Sequence, residues 1–147
     1  DHMRKKYNLL IGTRGAEAVK WKIGSASKQE TESDAPVRGR DLVDGIPKTI
    51  NVSSCEIREA LQDPVDKIVA GVRRVLESTP PELAADISQD GIVITGGGAL
   101  LHCLDTLIEQ ATGIPARIAD DPLTCVARGG GIALGLMDKD FDLFAEE

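Results

Sequence analysis

Aromatic residues make up only 3% of this 147-residue chain, and no apolar run approaches the length of a membrane span. A transmembrane helix needs about 20 consecutive apolar residues, and the N-terminus lacks the apolar core of a signal peptide. The sequence therefore predicts a soluble cytosolic protein that does not insert into a membrane. The opening Asp1-His2-Met3 is interpreted as a cloning remnant, so His2 is set aside.

Cysteine and histidine are too few and too scattered to indicate a disulfide framework or a metal centre. Cys55, Cys103 and Cys125 form no C-x-x-C pair, which favours a reducing compartment, and the last two are interpreted as buried small apolar residues. With His2 set aside, His102 has no second histidine to join it, so no metal or proton-transfer role is expected. The formal net charge of -7 argues against a nucleic-acid partner.

The first third of the chain shows helix and hairpin patterns. Apolar residues recur at helical intervals over Thr13–Ile23, and Gly24 follows as a stop. Residues 25–36 are polar and without period, which predicts a loop. Alternation over Val37–Val43 and Lys48–Val52, on either side of D-G-I-P, predicts a β-hairpin. This part is expected to form a small α+β lobe.

Two helix starts follow the hairpin. Ser53 and Glu56 have the spacing of a capping box, which predicts a short helix ending near Leu61. Asp63 then supplies an N-cap and Pro64 a first helical residue for a second helix. The sequence therefore predicts two helices with a break between them.

The last third alternates strands and helices, which predicts an α/β layer with parallel strands. Ile92–Thr95 is apolar and β-branched, as in a strand covered on both faces, and Ala116–Ala119 is a second strand. A last helix is predicted to start at Asp121-Pro122. Its glycines, Gly129 to Gly131, are expected to let it pack closely on a neighbour. An acidic tail, D-K-D-F-D-L-F-A-E-E, ends the chain.

Gly96, Gly97 and Gly98 join the predicted strand to a helix. Backbone N–H groups at the positive end of a helix suit a polar or anionic ligand, and the missing Cβ atoms let it approach the main chain. The alternative is a tight turn without a ligand. No lysine completes a Walker loop, and Leu101 stands where a dinucleotide motif needs its last glycine. The glycines alone indicate a nucleotide-like ligand.

Glu17 and Lys20 are three residues apart on one face of the first helix. They suit either a solvated ion pair or a polar clamp, in which the carboxylate accepts ribose hydroxyls and the ammonium adds complementary charge. Spacing alone favours the ion pair. No catalytic constellation emerges, because no carboxylates form a recognisable pair and one usable histidine cannot complete a Ser-His-Asp set.

Several stretches together resemble the C-terminal part of the MreB family, rod-shape-determining bacterial actin homologues of the actin/Hsp70/sugar-kinase superfamily. They are YNLLIG, AEAVKWKIGSA, VRGRDLVDGIPKTI, EIREALQDP, TPPELAADI, GIVITGGGALL and DDPLTCVARGGGIAL. The resemblance implies an α/β fold, the second lobe of an actin-like ATPase (a ribonuclease H-like half). Residues 12–62 would form its small α+β subdomain (IIB). Residues 63–147 would form the C-terminal part of the larger α/β subdomain (IIA) with the closing helix.

The resemblance also implies a nucleotide-binding cytoskeletal protein that forms ATP-dependent filaments and guides cell shape and cell-wall synthesis. ATP or ADP would bind with Mg²⁺, whose ligands lie outside this chain. Expected partners are other filament protomers and rod-complex membrane proteins, in the cytoplasm at the inner face of the membrane. The residues carried over as nucleotide contacts are Glu17, Lys20, Gly96, Gly97, Gly98, Ala99 and Leu100.

Two departures from the family pattern qualify this expectation. The family's G-E-x-T-A-E is replaced by Gly12-Thr13-Arg14-Gly15-Ala16-Glu17, which is expected to loosen the start of that helix. The D-x-G-T hairpin and the second phosphate hairpin are absent, and phosphoryl transfer depends on positioning and charge stabilisation. The chain alone is therefore not expected to hydrolyse ATP at a useful rate. The alternative function is a stand-alone interaction module, a filament cap or partner-docking fragment without nucleotide turnover.

Overall fold

The computed structural model describes residues 1–137, which form two sheets connected by one long helix. The predicted acidic tail lies outside the described residues. The strands are β1 Leu9–Leu10, β2 Asp34–Asp41, β3 Pro47–Ser53, β4 Ile92–Ile94 and β5 Ala116–Ile118. The helices are α1 His2–Tyr7, α2 Thr13–Ile23, α3 Ser54–Ser78, α4 Pro81–Asp90, α5 Leu104–Thr112 and α6 Cys125–Met137. No helix within residues 1–137 is long and apolar enough to cross a bilayer.

The first sheet confirms the predicted hairpin. Its three strands are antiparallel in the order β1-β2-β3, and Val37 faces Ile50 across the hairpin. Strand β2 begins at Asp34, so the predicted loop is shorter than expected. At the turn, the buried Asp41 accepts hydrogen bonds from Lys48 Nζ at 2.7 Å and from the backbone N–H of Val43 at 2.8 Å. These bonds hold the pKa of Asp41 below its ordinary value, and the bond from Lys48 has the larger effect.

Helix α3 is continuous where two helices were predicted. Ser53 Oγ accepts the N–H of Glu56 at 3.2 Å, which confirms the capping residue. The helix then runs through Pro64 to Ser78. Proline inside a helix costs about 3 kcal/mol, because it removes a hydrogen bond and crowds the preceding turn. Burial of an apolar stripe on both sides of Pro64, including Ile57 and Val65, offsets that cost.

Within residues 1–137, two apolar clusters form the core, and α3 contributes to both. The first lies under the three-stranded sheet and consists of Met3, Leu9, Ile23, Ala35, Val37, Val52 and Ile57. The second lies between α3, α5 and the parallel pair and consists of Ala26, Val65, Leu101, Leu104 and Ile108. Leu61 packs against both clusters. Helix α3 thereby couples the packing of the two halves.

The N-terminal residues, including His2, contact the rest of the described chain, and their interpretation as a cloning remnant stays a prediction. Met3 is 5% exposed in the first cluster. His2 Nε2 lies 2.7 Å from Glu56 Oε1, and the Tyr7 hydroxyl donates to Glu56 Oε2 at 2.8 Å. Burial acts to raise the pKa of Glu56, but hydrogen bonds from His2, Tyr7 and Lys6 outweigh it and lower that pKa.

The second sheet confirms the predicted parallel strands, with Ile92 opposite Ala116 and Ile94 opposite Ile118. The prediction that the first of these strands is covered on both faces is wrong for residues 1–137. Val93 is 46% exposed, because its side chain points away from the face on which Ile92 and Ile94 pack against the second cluster.

Helix α6 begins at Cys125, four residues after the predicted start, because Asp121–Thr124 forms a turn. Its glycines are inside the helix, as predicted. A Cβ at any of Gly129, Gly130 or Gly131 would meet nothing within 4 Å. Val126 is 86% exposed. The predicted close packing is therefore wrong for the described residues, and α6 presents its apolar side chains outward.

The predicted subdomain boundary at 62/63 falls within the continuous α3, and β1 lies before residue 12 while pairing with β2. Division of the chain into subdomains at those residues stays a prediction.

Shortening the buried Val65 should destabilise the fold, whereas the same change at Val75 should not. Val65 is 2% exposed and Val75, on the same helix, is 65% exposed. Val65→Ala removes buried methyl groups and leaves a cavity, so it should lower the free energy of unfolding by about 2 kcal/mol. Val75→Ala should change it by less than about 0.5 kcal/mol. Denaturant unfolding measures both, and equal losses would contradict the described packing of α3.

Candidate nucleotide site

A cleft between α2 and α3 holds both charged residues of the predicted site. Each helix contributes one face with i, i+3, i+4, i+7 spacing. The cleft volume is about 390 Å³, which lies in the range of small-molecule sites. We call this feature the α2–α3 cleft. It is lined by Thr13, Ala16, Glu17 and Lys20 from α2 and by Ile57, Ala60, Leu61 and Pro64 from α3, with Asp1, His2, Met3, Ile11, Val19 and Val37 completing it.

Glu17 and Lys20 both line the α2–α3 cleft, as their shared helix face predicts. Among the ion pairs within residues 1–137, none joins Glu17 to Lys20. The simple ion-pair interpretation is therefore not what the structure shows. A carboxylate and an ammonium on the same face leave one acceptor and one set of donors for a ligand.

The three glycines open a short 3-10 turn and not an α-helix, which corrects the expected geometry. The turn spans Gly97–Leu100, and α5 starts only at Leu104. We call residues 96–100 the glycine turn. Because the α-helix begins four residues after the turn ends, its dipole does not act at the glycines as predicted. What remains of the argument is the exposed main chain.

Only one of these glycines is required by the chain's own backbone. Gly96 has φ 81° and ψ 179°, a conformation essentially restricted to glycine, and its N–H donates to Pro122 O at 2.8 Å. A Cβ at Gly97 would lie 3.7 Å from Leu123 Cδ2, and one at Gly98 would meet nothing within 4 Å. Space beside the main chain is therefore open at Gly98, whereas at Gly97 the Leu123 side chain lies at van der Waals contact distance.

The remaining two residues of the glycine turn differ sharply in exposure. Ala99 is 0% exposed and Leu100 is 36% exposed. Ala99 therefore holds the turn from inside the protein, whereas Leu100 offers an apolar side chain beside the open main chain.

The end of α2 is attached to the segment after the glycine turn. Ser25 forms a parallel bridge with His102, and Ala26 N–H donates to His102 O at 2.8 Å. His102 Nε2 lies 3.3 Å from Trp21 O. The helix that carries Glu17 and Lys20 is thus bonded at its end to His102, two residues after the glycine turn. The residues lining the cleft include none from the glycine turn, so the structure does not bring all the predicted site residues into one cleft.

Sequence reasoning missed several residues of the cleft. His2 was set aside, and Pro64 was interpreted as a helix start. The signal for Pro64 was present, because Ile57, Ala60, Leu61 and Pro64 have the spacing of one helical face.

The three cysteines, Cys55, Cys103 and Cys125, are all half-buried. Full burial was expected for Cys103 and Cys125. Within residues 1–137 no group of three or more His, Cys, Asp or Glu residues is arranged to hold a metal ion.

Alanine at the two ends of the glycine series should have different effects on stability. Gly96→Ala places a side chain in a conformation that alanine avoids, so it should lower the free energy of unfolding by roughly 1–3 kcal/mol. Gly98→Ala meets no atom and should be neutral or slightly stabilising. Thermal unfolding of both variants measures this, and a destabilised Gly98→Ala protein would show that the main chain at Gly98 is not open.

The fold is that of actin-like proteins. The MreB5 protein of Spiroplasma citri, solved bound to ADP, superimposes with a TM-score of 0.88 at 41% identity, over 97% of this chain and 43% of that one. MamK in a double helical filament superimposes with a TM-score of 0.72 at 21% identity, over 93% of this chain and 41% of that one. The second likeness concerns the fold alone.

The chain belongs to the MreB/Mbl family, whose model, described as "MreB/Mbl protein", matches residues 1–141. It is 51% identical to the cell shape-determining protein MreB of Escherichia coli K12, over 100% of this chain and 43% of that protein. It is 45% identical to the cell shape-determining protein Mbl of Bacillus subtilis 168, over 95% of this chain and 42% of that protein. The chain thus spans less than half the length of these relatives.

Proposed function

We propose that this chain is the nucleoside-contacting lobe of an MreB-like cytoskeletal protein. The observation that carries the proposal is that α2, whose Glu17 and Lys20 face a cleft and do not pair with each other, is bonded at its end to His102, two residues after the glycine turn with its open Gly98. Support comes from the MreB5 protein of Spiroplasma citri, solved with ADP and with AMPPNP at 41% and 42% identity.

In this proposal, the α2–α3 cleft and the glycine turn contact different parts of a nucleoside. The Glu17 carboxylate accepts ribose hydroxyls, and the Lys20 ammonium supplies positive charge. The bare backbone of the glycine turn, with the exposed part of Leu100, lies against the purine, because a flat ring can approach main chain that has no Cβ atoms. The contact surface leaves out Ala99, which is wholly buried.

The wider role follows the family. We propose that the chain corresponds to the C-terminal part of an MreB protein that forms ATP-dependent filaments and guides cell shape through rod-complex partners. Exposed apolar side chains, Val43 and Ile46 at the hairpin turn and Val126 on α6, support self-association, since such surfaces mark contacts with other proteins. The same side chains support the alternative of a stand-alone interaction module.

The proposal assigns no catalytic step to this chain. Phosphoryl transfer needs phosphate and Mg²⁺ contacts, and the proposed contacts of the α2–α3 cleft and the glycine turn are with the nucleoside. The proposed role is therefore nucleoside binding.

Titration of the ¹⁵N-labelled chain with ADP, followed by amide chemical shifts, tests the proposed site. Weak, saturable shifts are expected at Glu17, Lys20, Gly97 and Gly98, because these residues surround the proposed nucleoside. Gly98→Val should weaken binding, since its side chain fills the open space above the turn. ATP added to the same sample should remain unhydrolysed.

Inorganic phosphate serves as the control ligand, because it carries charge but no nucleoside. If ADP shifts only the amides that phosphate also shifts, or shifts amides away from both the cleft and the glycine turn, the proposed function is wrong.

A further inference from the structure

Pro64 lies inside α3, where proline destabilises a helix, whereas local sequence rules place a proline at the start of a helix. An α-helix normally pairs the N–H of residue i with the carbonyl of residue i−4. Pro64 has no N–H, so the Ala60 carbonyl loses its regular partner while α3 continues to Ser78. Departures from local rules that a protein retains are expected at functional sites.

The affected turn faces the α2–α3 cleft. Ala60 and Pro64 both line it, opposite Glu17 and Lys20. A helical carbonyl points along the helix axis towards residue i+4, which for Ala60 is Pro64 in the same wall of the cleft. Ala60 is half-buried and Pro64 exposed, which leaves this turn accessible to a small molecule.

The cleft therefore contains two acceptors of different character. Glu17 contributes a charged carboxylate, and Ala60 contributes a neutral carbonyl on the facing helix. A ligand with two adjacent hydroxyl groups matches such a pair, because each hydroxyl donates one hydrogen bond. A vicinal diol is the part of a nucleoside that has this arrangement.

We propose that the Ala60 carbonyl, released by Pro64, accepts a ribose hydroxyl of the bound nucleoside and so complements Glu17. This assignment rests on the proposed nucleoside site and adds a specificity-determining group to it. Pro64 is then a positioning residue, which acts by withholding a backbone donor and not by touching the ligand through a polar group.

The variant Pro64→Ala separates this role from a merely structural one, because the two readouts move in opposite directions. Restoring the N–H should raise the unfolding temperature. It should also weaken ADP binding roughly 2- to 10-fold, the value of one neutral hydrogen bond, because the carbonyl is then occupied within the helix. Unfolding scans and amide-shift titrations of the whole chain measure the two effects.

The matched control lies in the same helix. Gly71→Ala adds a methyl group where nothing lies within 4 Å, and Gly71 does not line the α2–α3 cleft. It should raise the unfolding temperature through helix propensity alone and leave ADP affinity unchanged.

Deoxy analogues identify the group that is bound. One of the two analogues, 2′-deoxy-ADP or 3′-deoxy-ADP, lacks the hydroxyl that donates to the Ala60 carbonyl. Wild type and Pro64→Ala should bind that analogue with equal affinity. A loss of affinity in Pro64→Ala that persists with both analogues would overturn the assignment. A Pro64→Ala protein with no gain in unfolding temperature would also overturn it, because the carbonyl would not have been free.

Failure of the assignment differs from failure of the proposed function. If Pro64→Ala binds ADP like wild type while Gly98→Val binds it weakly, the role of Ala60 is wrong and the nucleoside site stands. If ADP produces no specific shifts in the wild-type chain, both are wrong.

Discussion

Continuity of α3 through Pro64 is the constraint on which the rest of the structure depends. The helix places Ile57 in the cluster under the antiparallel sheet and Val65 in the cluster beside the parallel pair, with Leu61 between them. Further along, Arg73 Nε and Nη2 donate to Ala111 O at the end of α5, at 3.1 and 2.8 Å. A break at Pro64 would separate two halves that have few other elements in common.

The candidate site is a consequence of that coupling. Helix α2 packs beside the first half of α3, which creates the cleft with Glu17 and Lys20, and its last turn leads to the bridge between Ser25 and His102. The glycine turn is positioned by the second cluster through Leu101 and from inside by Ala99. Each cluster therefore fixes one part of the site, and α3 sets the relation between the two.

Local sequence patterns predicted secondary structure correctly where a single pattern applied to a segment. Strict alternation predicted the hairpin, helical spacing predicted α2, and the capping residue Ser53 was found from its spacing to Glu56. Prediction failed where two rules competed. The Asp63-Pro64 signal for a new helix was outweighed by the burial of an apolar stripe. The helical spacing of that stripe becomes visible only when the pattern is followed across the proline.

Other features depended on tertiary contacts that no local pattern encodes. Cys103 has a positive φ directly before α5, so the α-helix begins only after the 3-10 turn and not at the glycines. The packing of Met3 and the contact of His2 with Glu56 join segments more than fifty residues apart. Only the family resemblance predicts that Glu17 and Lys20 contact a nucleotide, since their spacing alone favours an ordinary ion pair.

The most direct test of the central claim is the backbone chemical-shift profile of α3 in solution. The account predicts helical Cα shifts without interruption from Ser54 to Ser78, Pro64 included, together with slow amide exchange at Val65. Random-coil shifts at residues 61–64, with fast exchange at Val65, would show two separate helices and contradict the coupling described above.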